Sequence, residues 1–407
     1  MKDIYKALLI AVISRAMLFA ASTISNYAFT YVNPNYMDVS AIDSFPFIGQ
    51  FDRWDSEIYI NIARNGYSLG YPDVSSFPQL AHAQNIPPLA MPEWAFFPLY
   101  PVAMQAGSIL FTVFLSPVHS LMLSGFLISN LSFFISVIFF YKLTEKLFKN
   151  PKVAILSTVF YSFCGGAIFL SSIFSEALFM ALTLGAFFFL EKNKISIAIA
   201  LGILASLTRS NGFLIAIPFL VAAILSIRAD KKRSLVLFAS SVVVSSGYLW
   251  FNVAGYFAAG GVFPVHVIAH DLNWQAYPPI TQQLITLGSQ VTPDVGRPNI
   301  FQAFYIISLT LMCLPAVYFF IKQKTVISIE HETIKYWAYY GVMLYVIFVV
   351  SYLPSTVRYA IPLLPMYWVF AKVAVANRVA AVILLTLTIV LSIVGAYLLE
   401  ISTPYFL

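Results

Sequence analysis

The chain has 407 residues, of which 60% are hydrophobic and only 10% are charged. An average soluble domain is about 25% charged, so this composition excludes an ordinary water-soluble enzyme and indicates a surface that faces a lipid bilayer. The net charge of +6 does not indicate nucleic-acid binding, because the basic residues stand in short clusters between long apolar runs, a pattern typical of membrane proteins.

Apolar runs of roughly 17 to 25 residues, each long enough to cross a hydrocarbon core of about 30 Å, predict membrane helices along the whole chain. These runs lie near residues 8–29, 119–141, 153–170, 176–190, 234–256, 300–321, 336–352 and 379–399. Shorter candidate helices cover 195–208, 212–227 and 360–374, for about eleven helices in all. We interpret the apolar but short segment 102–116 as interfacial or re-entrant. The sequence therefore predicts an all-α, polytopic integral membrane protein.

The charges between these runs predict the orientation of the chain. Residues 1–23 resemble a cleaved signal peptide, but Arg15 interrupts their apolar stretch and favours a membrane helix. Clusters of Lys and Arg, expected on the cytoplasmic side, lie at 142–152, 228–233 and 372–378. The N-terminus is then cytoplasmic, the C-terminus is extracytoplasmic, and the large loops 30–100 and 257–299 are both extracytoplasmic. We expect any chemistry in these two loops and in the helix ends that face them.

The first loop contains the sequence RWDSEIYINIARNGY at 53–67, which predicts a helix that ends at Gly66. Spacings of three and four place several residues on one helix face. They are Asp52, Asp55, Tyr59 and Ile62. Two carboxylates on one face beside Trp54 suit a general base or a metal site. The alternative is a solvated acidic helix with Asp52 as its N-cap.

Further along the chain, the segment EWAFFPLYP at 93–101 places Glu93 among apolar neighbours, where a carboxylate needs a partner or a function. We interpret most of its aromatic residues as a belt at the membrane interface. These residues are Trp94, Phe96, Phe97 and Tyr100.

Three charges interrupt apolar sequence at predicted outer helix ends, where an uncompensated charge is costly. They are Glu176, Arg209 and Arg358. Arg209 could pair with Glu176, or the two arginines could hold a phosphate, since the planar guanidinium matches phosphate oxygens.

The second loop adds His270 and Trp274 without metal-ligand spacing. No nucleotide-binding motif occurs in the sequence. A group-transfer reaction at the outer face would therefore take its activated group from a lipid.

Four motifs stand in order along the chain, and they are RWDSEIYINIARNGY (53–67), EWAFFPLYP (93–101), the SE pair of SIFSEALF (172–179) and TRSNG (208–212). In this order and spacing they resemble the PIG-V family, the mannosyltransferases that add the second mannose of GPI anchors, and its prokaryotic relatives. The likeness covers about residues 45–215, and the final third matches only through Trp274 and the Arg358–Tyr359 pair. Without long insertions, the chain resembles a compact prokaryotic member.

The resemblance implies a single GT-C transmembrane domain over 1–407 whose large first extracytoplasmic loop carries an acidic catalytic residue. Such enzymes move a sugar, here mannose, from a polyprenyl or dolichyl phosphate to a glycolipid or lipid-linked acceptor with inversion, forming an α-linkage. The family also implies the plasma membrane of a prokaryote or the endoplasmic reticulum membrane of a eukaryote. No cofactor is required, although the acidic loop could bind a divalent metal.

Within this resemblance, Asp55 is the candidate catalytic base, with Asp52 and Glu93 as alternatives. The candidates for binding the donor phosphate are Arg209, Arg358 and His270. The candidates for other substrate contacts are Trp54, Tyr59, Glu176, Asn211, Trp274 and Tyr359.

Two other functions compete with this interpretation. A transporter or flippase also has many helices and a few intramembrane charges, but it usually carries those charges near the midplane. The crowding of polar residues at one face and the long first loop favour an enzyme. An enzyme of the same fold that uses another lipid-linked donor is the third possibility.

Overall fold

A computed structural model of the chain describes residues 2–32, 45–53, 55–67, 92–258, 298–323, 331–350 and 356–401. All secondary structure within these ranges is helical, which confirms the predicted all-α class. In the same ranges, four helices are long and apolar enough to cross a membrane. They are Asp3–Ala28, Pro117–Phe148, Lys231–Ala258 and Arg378–Leu399, and the third of them contains a single turn residue, Ser245, between two helical stretches. The chain is therefore an integral membrane protein, while the figure of about eleven crossings stays a prediction.

The helices of the described ranges follow one another with short breaks. In chain order they are α1 (Lys2–Val32), α2 (Pro46–Gly49), α3 (Asp55–Asn65), α4 (Leu99–Ser108), α5 (Pro117–Phe148), α6 (Pro151–Ser162), α7 (Glu176–Glu191), α8 (Ile195–Ser206), α9 (Ala216–Ser226), α10 (Lys231–Val244), α11 (Ser246–Ala258), α12 (Pro298–Gln323), α13 (Ile334–Val350), α14 (Thr356–Ala360), α15 (Leu364–Ala376) and α16 (Arg378–Ile401). Short 3₁₀ turns lie at Pro92–Ala95, Ala167–Leu170, Ser210–Ile215 and His331–Thr333.

The predicted helix of the first loop is α3, which ends where expected. Gly66 has a φ of +77°, a left-handed conformation that glycine adopts without steric cost, and its N–H donates to the carbonyl of Ile62 at 2.8 Å. The helix begins at Asp55, so Asp52 lies three residues before its first residue and not directly at its start. The alternative prediction of Asp52 as N-cap is therefore wrong.

The predicted run 153–170 is wrong as a single helix. Helix α6 ends at Ser162 after 12 residues, which is about 18 Å of rise and too short to cross a core of about 30 Å. Residues 163–175 then form turns and one 3₁₀ turn, and all of them except Gly165 are buried. Irregular backbone is tolerated at membrane depth only where protein or a cavity surrounds it. We call residues 163–175 the linking segment.

Several helices pack around the linking segment. Helices α5, α7 and α16 contact its 3₁₀ turn, Ala167–Leu170. In the surrounding bundle α5 packs along α7, α6 along α15, and α1 along both α6 and α16. Helix α14 approaches the linking segment so closely that a Cβ on Gly166 would lie 2.6 Å from the carbonyl oxygen of Val357. A glycine is required there because a side chain would push α14 away.

The aromatic residues of the segment 93–101 do not form a membrane-facing belt. Trp94 stacks against Phe251 of α11, with ring centroids 5.3 Å apart. Phe96 meets the ring of Tyr59 at 5.1 Å, and Tyr100 is fully buried. The predicted interfacial belt is wrong, because these rings join α3 to the helix bundle instead.

Candidate active site

Four charged side chains from separate parts of the chain meet in one cluster. Asp55 is the first residue of α3, Glu176 the first of α7, Arg209 precedes the 3₁₀ turn Ser210–Ile215, and Arg358 lies in α14. We call these four residues the ion cluster. The structure thus brings together the candidate base and the three charges that interrupt apolar sequence.

The two arginines converge on one carboxylate oxygen. Oε1 of Glu176 lies 2.7 Å from Nη1 of Arg209 and 2.6 Å from Nη2 of Arg358. Arg358 also donates through Nε to the same oxygen at 2.7 Å and through Nη2 to Oδ2 of Asp55 at 2.5 Å. The predicted pairing of Arg209 with Glu176 is confirmed, and Arg358 shares the same acceptor.

Burial differs among the members of the ion cluster. The side chain of Glu176 is 3% exposed and that of Arg358 is 8% exposed, whereas that of Asp55 is 20% exposed. Glu176 also lies at the N-terminus of α7, where the helix dipole stabilises a negative charge. Asp55 is thus the carboxylate of the cluster that a molecule outside the protein reaches most easily.

A hydroxyl pair extends the ion cluster toward α3. Oγ of Ser175 accepts a hydrogen bond from Nη1 of Arg209 at 3.1 Å and lies 2.7 Å from the hydroxyl of Tyr59. Burial raises the pKa of Tyr59, so its hydroxyl stays protonated. The sequence analysis does not predict a role for Ser175. Its position directly before Glu176, the first residue of α7, is the feature that could have indicated one.

Aromatic rings and one amide complete the surroundings of the arginines. The guanidinium of Arg209 lies 5.6 Å from the ring centroid of Tyr359, and that of Arg358 lies 4.8 Å from the centroid of Phe174. Both contacts are within cation–π range. Oδ1 of Asn211 and Oε2 of Glu176 are buried and accept no hydrogen bond from the described residues.

The two alternative bases lie outside the ion cluster. Asp52 accepts a hydrogen bond from Oγ of Ser56 at 2.5 Å, and burial raises the pKa of its carboxyl above the ordinary 3.8. Glu93 is 1% exposed within the turn Pro92–Ala95. Among the described residues, neither acid contacts Arg209 or Arg358.

Part of the predicted site cannot be placed. Trp54, His270 and Trp274 lie outside the described residues. Where the structure does describe the chain, no three His, Cys, Asp or Glu side chains are grouped as metal ligands would be.

The chain is similar to named mannosyltransferases, although no protein-family model matches it. It is 30% identical over 185 residues to GPI mannosyltransferase 2 of Schizosaccharomyces pombe, a match that covers 44% of this chain and 34% of the yeast protein. It is 24% identical over 208 residues to GPI mannosyltransferase 2 of Yarrowia lipolytica, covering 50% of each chain. GPI alpha-1,6-mannosyltransferase 2 of Rattus norvegicus is 27% identical over 177 residues, which are 43% of this chain and 32% of the rat protein.

These matches span a third to a half of the length of the curated relatives. They support the resemblance to the PIG-V family that the four motifs indicate. Among solved structures, the oligosaccharyltransferase of Archaeoglobus fulgidus aligns over 94% of this chain and 53% of its own, with 14% identity and a TM-score of 0.44. That TM-score is too low to establish a common fold.

Proposed function

We propose that the chain is an inverting glycosyltransferase of the GT-C type. It moves mannose from polyprenyl- or dolichyl-phosphate mannose to a glycolipid or lipid-linked acceptor and forms an α-linkage. The observation that supports this function is the ion cluster, in which a partly exposed carboxylate lies against two buried arginines. The mannosyltransferase names of the similar proteins support the choice of sugar.

Asp55 acts as the general base. Inversion proceeds through one displacement, in which the acceptor oxygen attacks the anomeric carbon while the bond from that carbon to the phosphate oxygen breaks. The hydroxyl proton of the acceptor passes to the Asp55 carboxylate. Asp55 suits this role better than Glu176, since its side chain is 20% exposed and that of Glu176 only 3%.

The arginines hold the donor phosphate and then the leaving lipid phosphate. Ion pairs with Glu176 hold their two guanidinium groups in fixed orientations. Because the site is buried, these fixed donors stabilise the negative charge that develops on the phosphate more strongly than they would in water. When the donor binds, its phosphate takes the guanidinium nitrogen of Arg358 that now contacts Asp55. This exchange of partners frees the Asp55 carboxylate to accept a proton.

The remaining contacts orient the sugar and the acceptor. The Asn211 side-chain oxygen accepts a hydrogen bond from a sugar hydroxyl, while Tyr59 and Tyr359 border the site. The Lys and Arg clusters join the helix ends on the side away from the ion cluster, and such clusters face the cytoplasm. The N-terminus therefore lies in the cytoplasm, and the site opens to the extracytoplasmic face. We place the chain among the compact prokaryotic-type members, in the plasma membrane.

The test is transfer of radiolabelled mannose from polyprenyl-phosphate mannose to a membrane lipid extract by the purified protein. Asp55→Asn is expected to lower the rate by about 10²-fold or more. Glu57→Gln, which removes an exposed carboxylate from the same helix, serves as the matched control and is expected to match wild type.

The other outcomes separate the parts of the proposal. Full activity of Asp55→Asn together with loss in Asp52→Asn would move the base to Asp52. Binding of the donor followed by its movement across a vesicle membrane, without any glycosylated product, would overturn the enzyme in favour of a flippase. Failure of wild type to bind this donor would overturn the donor class.

A further inference from the structure

Arg15 is a buried arginine that takes no part in the ion cluster. It lies in α1, is 3% exposed, and its guanidinium stands 3.8 Å from the ring centroid of Phe133. No carboxylate among the described residues contacts it, so backbone and hydroxyl oxygens compensate its charge. A charge in an apolar helix persists only when such partners are supplied.

The three distant partners of Arg15 lie in the linking segment or directly before it. Nη2 donates to the carbonyl of Ser162 at 2.9 Å, and Nη1 donates to the carbonyl of Ala167 at 2.9 Å and to Oγ of Ser171 at 2.7 Å. Ser162 is the last residue of α6, and the final carbonyls of a helix have no partner within it. Arg15 therefore caps α6 and holds the linking segment from a different helix.

The linking segment connects these hydrogen bonds to the ion cluster. Ser171 is held twice, through its side chain by Arg15 and through its carbonyl by Nδ2 of Asn130 at 3.1 Å. Four residues later the segment ends at Ser175, and Glu176 follows as the first residue of α7. A shift of the segment would therefore displace Ser175 and Glu176, the two residues that direct the arginines.

We propose that Arg15 is a positioning residue for the glycosyl transfer proposed above, on which this role depends. It fixes the linking segment so that Glu176 and Ser175 hold Arg209 and Arg358 at the donor phosphate. Arginine is required because five donors in a rigid plane reach three separated oxygens, whereas the ammonium of lysine is a point charge on a flexible stem.

The experiment compares Arg15→Lys with Ala7→Leu. Ala7 is also buried on α1, two turns earlier and about 12 Å along the axis. A larger side chain there strains the packing of α1 at a distance from the linking segment. For each purified protein, the folded fraction, the kinetic constants per folded molecule and the affinity for polyprenyl phosphate are measured. Arg15→Lys is expected to lower kcat per folded molecule by about 10- to 100-fold and to weaken polyprenyl phosphate binding, with the acceptor KM unchanged.

Ala7→Leu is expected to lower the folded fraction and leave the kinetic constants of the folded protein unchanged. The proposal is overturned if Arg15→Lys behaves like Ala7→Leu, because Arg15 would then only stabilise the bundle. A second test measures the effect of Ser171→Ala on kcat in wild type and in Arg15→Lys. The effects of two substitutions that break the same hydrogen bond are not additive, so an equal effect of Ser171→Ala in both backgrounds also overturns the proposal. Absence of transfer by wild type would instead overturn the glycosyltransferase function itself.

Discussion

Helix α7 carries a glutamate at each end, and the two have different surroundings. Glu176 at the N-terminus binds two arginines that come from distant parts of the chain. Glu191 at the C-terminus binds Lys335 at 2.6 Å and the hydroxyl of Tyr336 at 2.7 Å, two neighbours at the start of α13. The helix dipole favours a carboxylate at the first position and disfavours one at the second.

The comparison shows which feature of a buried ion pair indicates a binding site. At Glu191 one cation and one hydroxyl from a single helix balance one carboxylate, as in a structural contact between two helices. At Glu176 two cations contact one carboxylate, and one of them, Arg358, also extends to the partly exposed Asp55. Two arginines on one carboxylate, with one of them reaching an acid at the surface of the cluster, are typical of a binding site for an anion and not of a structural contact between two helices.

The largest difference is expected when each glutamate is neutralised. Glu176→Gln leaves two buried arginines without their main carboxylate, so we expect loss of transfer and a free energy of unfolding lower by about 3 to 5 kcal/mol. Glu191→Gln is expected to lower stability by about 1 to 3 kcal/mol and to keep full activity per folded molecule. Thermal unfolding in detergent and the transfer assay measure both, and equal losses of activity would contradict the distinction.

A smaller effect is expected from exchanging the cations. Arg358→Lys keeps the charge but cannot donate to Asp55 and Glu176 in the geometry of Arg358, so kcat is expected to fall by about 10²- to 10³-fold. Lys335→Arg, the reverse exchange at the other end, is expected to remain close to wild type. If the rate of Arg358→Lys equalled that of wild type, a simple positive charge would suffice at the site.

The smallest effect concerns Asp52, a third carboxylate whose partner is the hydroxyl of Ser56. Burial raises its pKa in the folded state above the ordinary 3.8, so the folded protein binds a proton more readily than the unfolded chain. Its contribution to stability is present below the ordinary pKa and is lost as pH rises through the raised value. Asp52→Asn should remove this dependence, and melting temperatures of both proteins across acidic pH would reveal it. A steeper decline in Asp52→Asn than in wild type would contradict the sign.

Much of the helical architecture follows from the sequence, because long apolar runs specify membrane helices by length alone. The sequence does not reveal the linking segment, since the apolar residues of Ala167–Leu170 continue the pattern of α6, which ends at Ser162 before the Gly165–Gly166 pair. Asp52 and Asp55 were indistinguishable by spacing. In the folded chain Asp55 accepts a hydrogen bond from Arg358, which lies 303 residues later in the sequence, and this contact distinguishes Asp55 from Asp52.

The same wide separation of the ion cluster along the chain has a consequence for biosynthesis. Ribosomes release the N-terminal part first, so Asp55, Glu176 and Arg209 are inserted well before Arg358 is translated. Until then Arg209 is the one arginine of the ion cluster that has been translated alongside the two acids. Translation of α14 supplies the second arginine, so the two acids and two arginines can balance one another only after this helix has left the ribosome. A chain that stalls earlier carries no assembled centre.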